Sequence, residues 1–145
     1  CLLLECQQNS NTTYRIYDYG RKGADGKTRE LHLDQAVKVI QWDDHASPLV
    51  APRLLEQAGG HEHWEILSSP YFRMEQYRLA APHVLVRDQQ TFRVLFVEQG
   101  AVQVKGSQGV EQAPAGTTLL IPAACPDVPL IPVGGPARVL VMGLP

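Results

Sequence analysis

Two residues ten positions apart, Glu5 and Arg15, carry side chains that can move a proton and hold developing negative charge. A carboxylate can act as acid or base. A guanidinium keeps its charge near neutral pH and offers a planar fork of donors that fits charged oxygens. Both belong to residues 5–21, ECQQNSNTTYRIYDYGR, the densest polar chemistry in the chain. Glu5 follows an apolar run, Cys1-Leu2-Leu3-Leu4, whose alternation puts Leu2, Leu4 and Cys6 on one face and Leu3, Glu5 and Gln7 on the other. A carboxylate on a mostly buried strand is costly unless it is paired or used in a reaction. Asn9, Ser10, Asn11 and Thr12 compose a turn whose side chains bond their own backbone. Residues 13–17 resume as a strand, with Thr13, Arg15 and Tyr17 sharing a face. If the two strands are neighbours, Glu5 and Arg15 point into one cavity. On pattern alone, a hairpin whose arginine simply pairs with a carboxylate also fits.

The elements that must position this pair come from a chain of 145 residues, enough for one ordinary domain or a small barrel and part of another. A net charge of −2 and a pI near 6.2 give no electrostatic footprint for nucleic acid or for an acidic membrane surface. No apolar run approaches the roughly 20 residues of a membrane-spanning helix, and no secretory leader is visible. The chain opens on Cys1 in what reads as mid-strand, so a C-terminal piece of a longer protein is expected. Cys1, Cys6 and Cys125 make an odd count without a CxxC pair. Free thiols in a reducing cytoplasm are expected rather than a structural disulfide.

Downstream, Asp25-Gly26 is a hairpin-type turn inside a charged, glycine-rich loop over 18–28. Leu33, Ala36, Val37 and Ile40 fall at helical spacing and predict a short amphipathic helix across a barrel face. His32, near its start, is expected to be a hydrogen-bonded packing residue. Residues 41–60 read as a connection, with a brief helical turn over 53–58. From residue 61 short strands follow one another: 61–67, 71–79, 91–98, 101–105, 111–113, 117–121, 128–133 and 137–142. Gly100 and Ala115-Gly116 supply turns between them. Even spacing with Gly and Pro turns predicts an antiparallel barrel or jelly roll.

The order E-x-x-Q-N-S-x-x-T-Y-R-x-Y-D-Y-G-R, followed by Arg29-Glu30-Leu31-His32, resembles type I mannose-6-phosphate isomerase in its compact bacterial form. The similarity is dense from Leu2 to about Ile40 and looser to Pro145. Residues 95–104 look like the strand–glycine–strand of a first cupin element, and residues 115–123 like the glycine-to-proline half of a second. The resemblance implies a mainly β chain: a cupin-like jelly-roll barrel preceded by the last strands of a first cupin domain and a short helix. Its parts are a catalytic remnant over 1–45, a linker over 46–60 and a second, metal-free barrel over 61–145.

The resemblance also implies a cytoplasmic zinc enzyme that interconverts mannose 6-phosphate and fructose 6-phosphate, with a sugar phosphate as its partner. Arg15 matches the family's active-site arginine and Glu5 a group working on the sugar hydroxyls. Ser10 is a weaker match to the phosphate region, and Asn11 stands where many relatives have Asp. The family draws its zinc ligands from upstream of this motif, so no metal ligand and no bound cofactor is expected within the chain, which alone is expected to be inactive. His61, His63 and Glu65 alternate on one strand in a set that suits zinc or iron. Their spacing departs from the cupin pattern, and a polar strand entry or an exposed edge is the expectation. A non-catalytic cupin module that binds sugar or serves as a scaffold fits the same barrel. The sequence does not set an oligomeric state.

Overall fold

The computed structural model describes the chain except residues 1–2, 8–9, 11, 88–89 and 107–108. It divides into two compact units, Cys1–Pro48 and Leu49–Pro145.

In the first unit, residues 3–7 and 12–17 form no strand and have no strand partner among the described residues, so the expected hairpin is not formed there. The reason is physical. A strand exists only where a neighbour takes its backbone hydrogen bonds. Here the backbone of Arg15 is tied to His32 instead: the His32 N–H donates to the Arg15 carbonyl at 2.7 Å, and the Arg15 N–H donates to His32 Nδ1 at 3.0 Å. The Asp25-Gly26 turn forms as expected, with Gly26 at φ 74° and a bridge between Lys22 and Thr28. The helix α1, Leu33–Val39, buries Ala36 (3% exposed) while Leu33 and Val37 stay more than half exposed. The apolar stripe is thus present, but only its smallest member is covered within the described residues.

Among the described residues the second unit contains ten strands: β1 (Arg53–Ala58), β2 (His61–Ser68), β3 (Arg73–Leu79), β4 (His83–Leu85), β5 (Arg93–Gln99), β6 (Ala101–Gly106), β7 (Gly109–Pro114), β8 (Thr118–Ile121), β9 (Val128–Pro132) and β10 (Ala137–Gly143). They form an antiparallel six-stranded sheet in the order β1-β2-β3-β10-β5-β8 and a four-stranded sheet in the order β4-β9-β6-β7. The described strands make a two-sheet jelly roll without hydrogen-bonded closure into a barrel. Residues 53–58, expected as a helical turn within the connection, are the strand β1. Arg53, Glu56, Gln57 and their neighbours pair with β2 from Ala58↔His61 to Arg53↔Glu65, and pairing overrides local propensity.

The core lies between the sheets, where Leu79, Leu95, Val97, Val102, Leu130 and Val139 are fully buried. On β5 the apolar run Val94-Leu95-Phe96-Val97 does not declare its face. Leu95 and Val97 point inward, so Phe92, Val94 and Phe96 form the outer set. Gly100 makes the β5–β6 turn at φ 74°, and a methyl group built there would meet the Pro136 carbonyl oxygen at 2.6 Å. Gly100→Ala is therefore expected to destabilise by about 1–3 kcal/mol, read from the denaturant midpoint. Gly109→Ala, also at positive φ but with no atom within 4 Å of the added carbon, separates the steric part from the backbone part.

Candidate functional site

Arg15 is held on a small polar scaffold. Its side chain is 24% exposed, its Nη1 donates to the Glu30 carbonyl at 3.0 Å, and its Nε lies 3.9 Å from Asp18 Oδ1. With His32 fixing both backbone groups, the guanidinium is anchored from three sides while Nη2 has no hydrogen-bond partner among the described residues. His32 is the hydrogen-bonded residue expected.

Asp18, 9% exposed, is the anchor below it. Arg29 grips it bidentately: Nε donates to Oδ2 at 2.7 Å and Nη2 donates to Oδ1. These hydrogen bonds outweigh burial and hold the Asp18 carboxyl below its ordinary 3.8, with the charges of Arg29, Arg15 and Arg21 acting the same way. A depressed carboxylate stabilises the fold above its unfolded pKa and loses that contribution as pH falls through the folded value. The pair therefore holds at neutral pH and gives way only in acid below 3.8. Sequence reading missed this pair. Its signal was the Asp25-Gly26 turn, which brings the two arms of the hairpin, and so residues eleven apart, side by side.

Glu5 is exposed, and among the described residues no ion pair or hydrogen bond joins it to Arg15. Ser10 is exposed too, with its Oγ accepting the Thr12 N–H at 3.2 Å, the side-chain-to-backbone turn the sequence predicts. Cys1, Leu2, Asn9 and Asn11 lie outside the described residues. Cys6 and Cys125 are free thiols.

The histidines of β2 correct one expectation. β1 covers the flank of β2, so His61 and His63 are not on a polar edge. Their side chains face the interior at 12% and 18% exposure. His61 Nε2 lies 3.8 Å from Glu56 Oε2, and His63 Nε2 lies 3.5 Å from Glu75 Oε1, while Glu65 is bound by Arg53 at 2.9 Å. The three potential ligands thus turn to three different partners. Among the described residues no group of three or more His, Cys, Asp or Glu side chains is arranged to hold a metal ion. At the second cupin element, Asp127 Oδ1 accepts the Arg87 N–H at 2.8 Å. The donor sets present do not fit zinc. A concavity of about 670 Å³ at one end of the six-stranded sheet is lined by Gln57, Gly60, His61, Glu62, Arg78 and Arg138, among others, and includes neither Glu5, Ser10 nor Arg15.

Two antiparallel sheets in jelly-roll order, with glycine turns at 100 and 116, define a cupin-like protein, and solved structures agree. An RmlC-like cupin from Shewanella frigidimarina superposes with TM-score 0.55 at 11% identity, covering 67% of this chain and 89% of that one. A cupin-superfamily sugar phosphate isomerase from Silicibacter pomeroyi gives 0.52 at 18% identity, covering 66% and 71%. Both show the fold alone.

The family follows from closer relatives. The mannose-6-phosphate isomerase ManA of Bacillus subtilis is 34% identical over 128 residues, covering 83% of this chain and 38% of its own length. The mannose-6-phosphate isomerase of Streptococcus mutans is 35% identical over 111 residues, covering 77% and 33%. The crystal structure of the B. subtilis mannose 6-phosphate isomerase matches 94% of this chain and 42% of that one, with TM-score 0.77 at 25% identity. No family model matches the chain. The chain belongs to the type I mannose-6-phosphate isomerase family, and it spans less than two fifths of the length of these two curated relatives. No helix among the described residues is long and apolar enough to cross a membrane.

Proposed function

We propose that this chain is the C-terminal portion of a cytoplasmic, zinc-dependent enzyme that interconverts mannose 6-phosphate and fructose 6-phosphate. The observation that supports this most is the arginine itself. The residue matching the family's active-site arginine is the one whose backbone and side chain are both anchored, with one guanidinium nitrogen left over. In aldose–ketose isomerisation a proton moves between adjacent sugar carbons through an enediol-like intermediate, and negative charge grows on the sugar oxygens. Arg15 would stabilise that charge. Glu5 would serve as acid, base or hydrogen-bond acceptor toward the hydroxyls, and Ser10 would donate its hydroxyl proton to the phosphate. Because the donor sets among the described residues do not fit zinc, these roles are assigned without routing a step through the ion, whose ligands are proposed to lie on upstream sequence.

A second reading has its own support. Glu5 is exposed and unlinked to Arg15, which suits a non-catalytic cupin module that binds sugar or serves as a scaffold. One comparison separates them. The gene product that includes the upstream sequence is expected to turn over mannose 6-phosphate and to lose activity on zinc removal, while the isolated 145 residues are expected to show neither turnover nor stoichiometric zinc. Turnover by the isolated chain would refute the division of labour. A silent full-length protein would favour the binding module.

A further inference from the structure

The interior of the second unit holds a run of four contacting rings that the isomerase reading does not use. His61 of β2 lies against His83 of β4, with ring centroids 4.3 Å apart. His83 lies 5.1 Å from Tyr77 of β3, and Tyr77 stacks on His63 of β2 at 4.3 Å and 11°. β2 and β3 belong to the six-stranded sheet and β4 to the four-stranded one, so this run joins the two sheets. It does so where the second sheet is held least. β4 has three residues, is an edge strand and pairs only with β9. Its own Leu85 is 2% exposed, and Leu130 of β9, opposite His83, is fully buried.

The polar atoms of this run are not satisfied in the ordinary way. The Nε2 atoms of His61 and His63 are buried and have no hydrogen-bond partner among the described residues. Each instead has a carboxylate just beyond hydrogen-bond range, Glu56 of β1 at 3.8 Å and Glu75 of β3 at 3.5 Å. His83 has no carboxylate within ion-pair distance among the described residues. The other charged groups around the run are accounted for. Arg73 binds Glu75 at 3.2 Å, the Tyr77 hydroxyl donates to Glu75 at 3.4 Å, Arg53 binds Glu65, and Arg93 of β5 acts on Tyr77. Opposite His83, β9 offers Leu130, which cannot neutralise a proton.

We propose that His83, packed into the ring run with His61, Tyr77 and His63, is a proton-operated latch that joins the edge strand β4 to the six-stranded sheet, closed while His83 is neutral and released in acid. Neutral rings pack here in one stacked and two tilted contacts, the arrangements aromatic pairs favour. A proton on His61 or His63 has a carboxylate to answer it. A proton on His83 has none in contact and confronts two other imidazoles. Burial first, then the charge of His61, push the His83 pKa below its ordinary 6.5; Glu56 pulls the other way, and His63 adds the smallest push downward. A histidine whose pKa is depressed by folding favours the unlatched state once pH drops below the unfolded value. The latch is therefore whole above 6.5 and weakens as pH falls beneath it.

The test uses the full 145-residue chain. The histidine rings are titrated by nuclear magnetic resonance, and amide hydrogen exchange is followed in β4 and β10 from pH 7.5 to 5. His83 is expected to titrate below 6.5. Protection of the His83 and Leu85 amides, which face β9 in the ladder, corrected for intrinsic exchange, is expected to fall by up to about tenfold per pH unit per proton taken up, well ahead of β10. His83→Phe keeps a ring in the stack and is expected to abolish that slope. A His83 ring titrating at or above 6.5 in the wild-type chain, which needs no variant, would overturn the latch. So would the same slope in wild type and His83→Phe.

Discussion

Replacing Arg15 with alanine in the full-length enzyme is expected to lower kcat by at least about 10²-fold, the scale on which a lost donor to transition-state charge shows. The same change is expected to cost little stability. The backbone pairing between Arg15 and His32 survives in the variant because it uses the main chain and the imidazole, not the guanidinium. What is removed from the fold is one hydrogen bond to the Glu30 carbonyl, about 0.5–1.5 kcal/mol, and a 3.9 Å approach to Asp18. Asp18 keeps Arg29, its principal partner.

Rate and stability are thus separable at this residue. Measuring kcat, KM and the denaturant midpoint side by side gives three distinct outcomes. A fall in kcat with an unmoved midpoint assigns Arg15 to the chemistry. A rise in KM alone assigns it to uniform binding of the sugar phosphate. A lowered midpoint with unchanged kinetics returns it to the structural role that its hydrogen bonds also allow. Arg15→Lys adds a further discrimination, because it keeps the positive charge but loses the planar fork. Partial recovery of kcat would show that charge matters more than bidentate geometry.

The carboxylate beside Arg15 was not legible in the sequence, and the reason is physical. Residues 5–21 carry a dense order of uncommon side chains, and that order survives in one chain without any alignment. Alternation, however, only says which residues share a face if a strand exists. Glu5 and Arg15 share a cavity only if residues 3–7 and 13–17 have strand neighbours, and none is formed among the described residues. The carboxylate beside Arg15 turned out to be Asp18, three residues on, which period-2 reasoning cannot reach.

In the second unit the eight strands read from the sequence are present, because each is bounded by glycine, proline or a polar turn. The two that were missed show the limits of pattern. β1 is exposed along its whole length, so it has no buried face to create an apolar rhythm. β4 is three residues long, too short for any period. Those two strands are also what changed the meaning of the histidines: β1 turned a supposed edge into an interior strand, and β4 brought His83 against His61.

Leu95→Ala is expected to remove about 2–5 kcal/mol, a large share of the roughly 5–15 kcal/mol that holds such a domain. The argument rests on face assignment. Leu95 sits on β5, opposite Val141 of β10 on one side and Leu119 of β8 on the other, and is fully buried. β5 is hydrogen-bonded on both edges, by β10 and β8, so its backbone has little freedom to collapse into the space a shortened side chain leaves, and the cavity cost adds to the lost transfer energy. Leu120 on β8 carries the same side chain at 66% exposure, and its alanine variant is expected to stay within about 0.5 kcal/mol of wild type. Denaturant titration of both variants reads this directly, with the midpoint moving and the slope unchanged for Leu95→Ala. Equal, small losses at the two positions would mean that β5 presents Val94 and Phe96 to the core instead. That outcome would reverse every inward and outward assignment made along the strand, since a register slip of one residue carries the whole set of side chains to the opposite face.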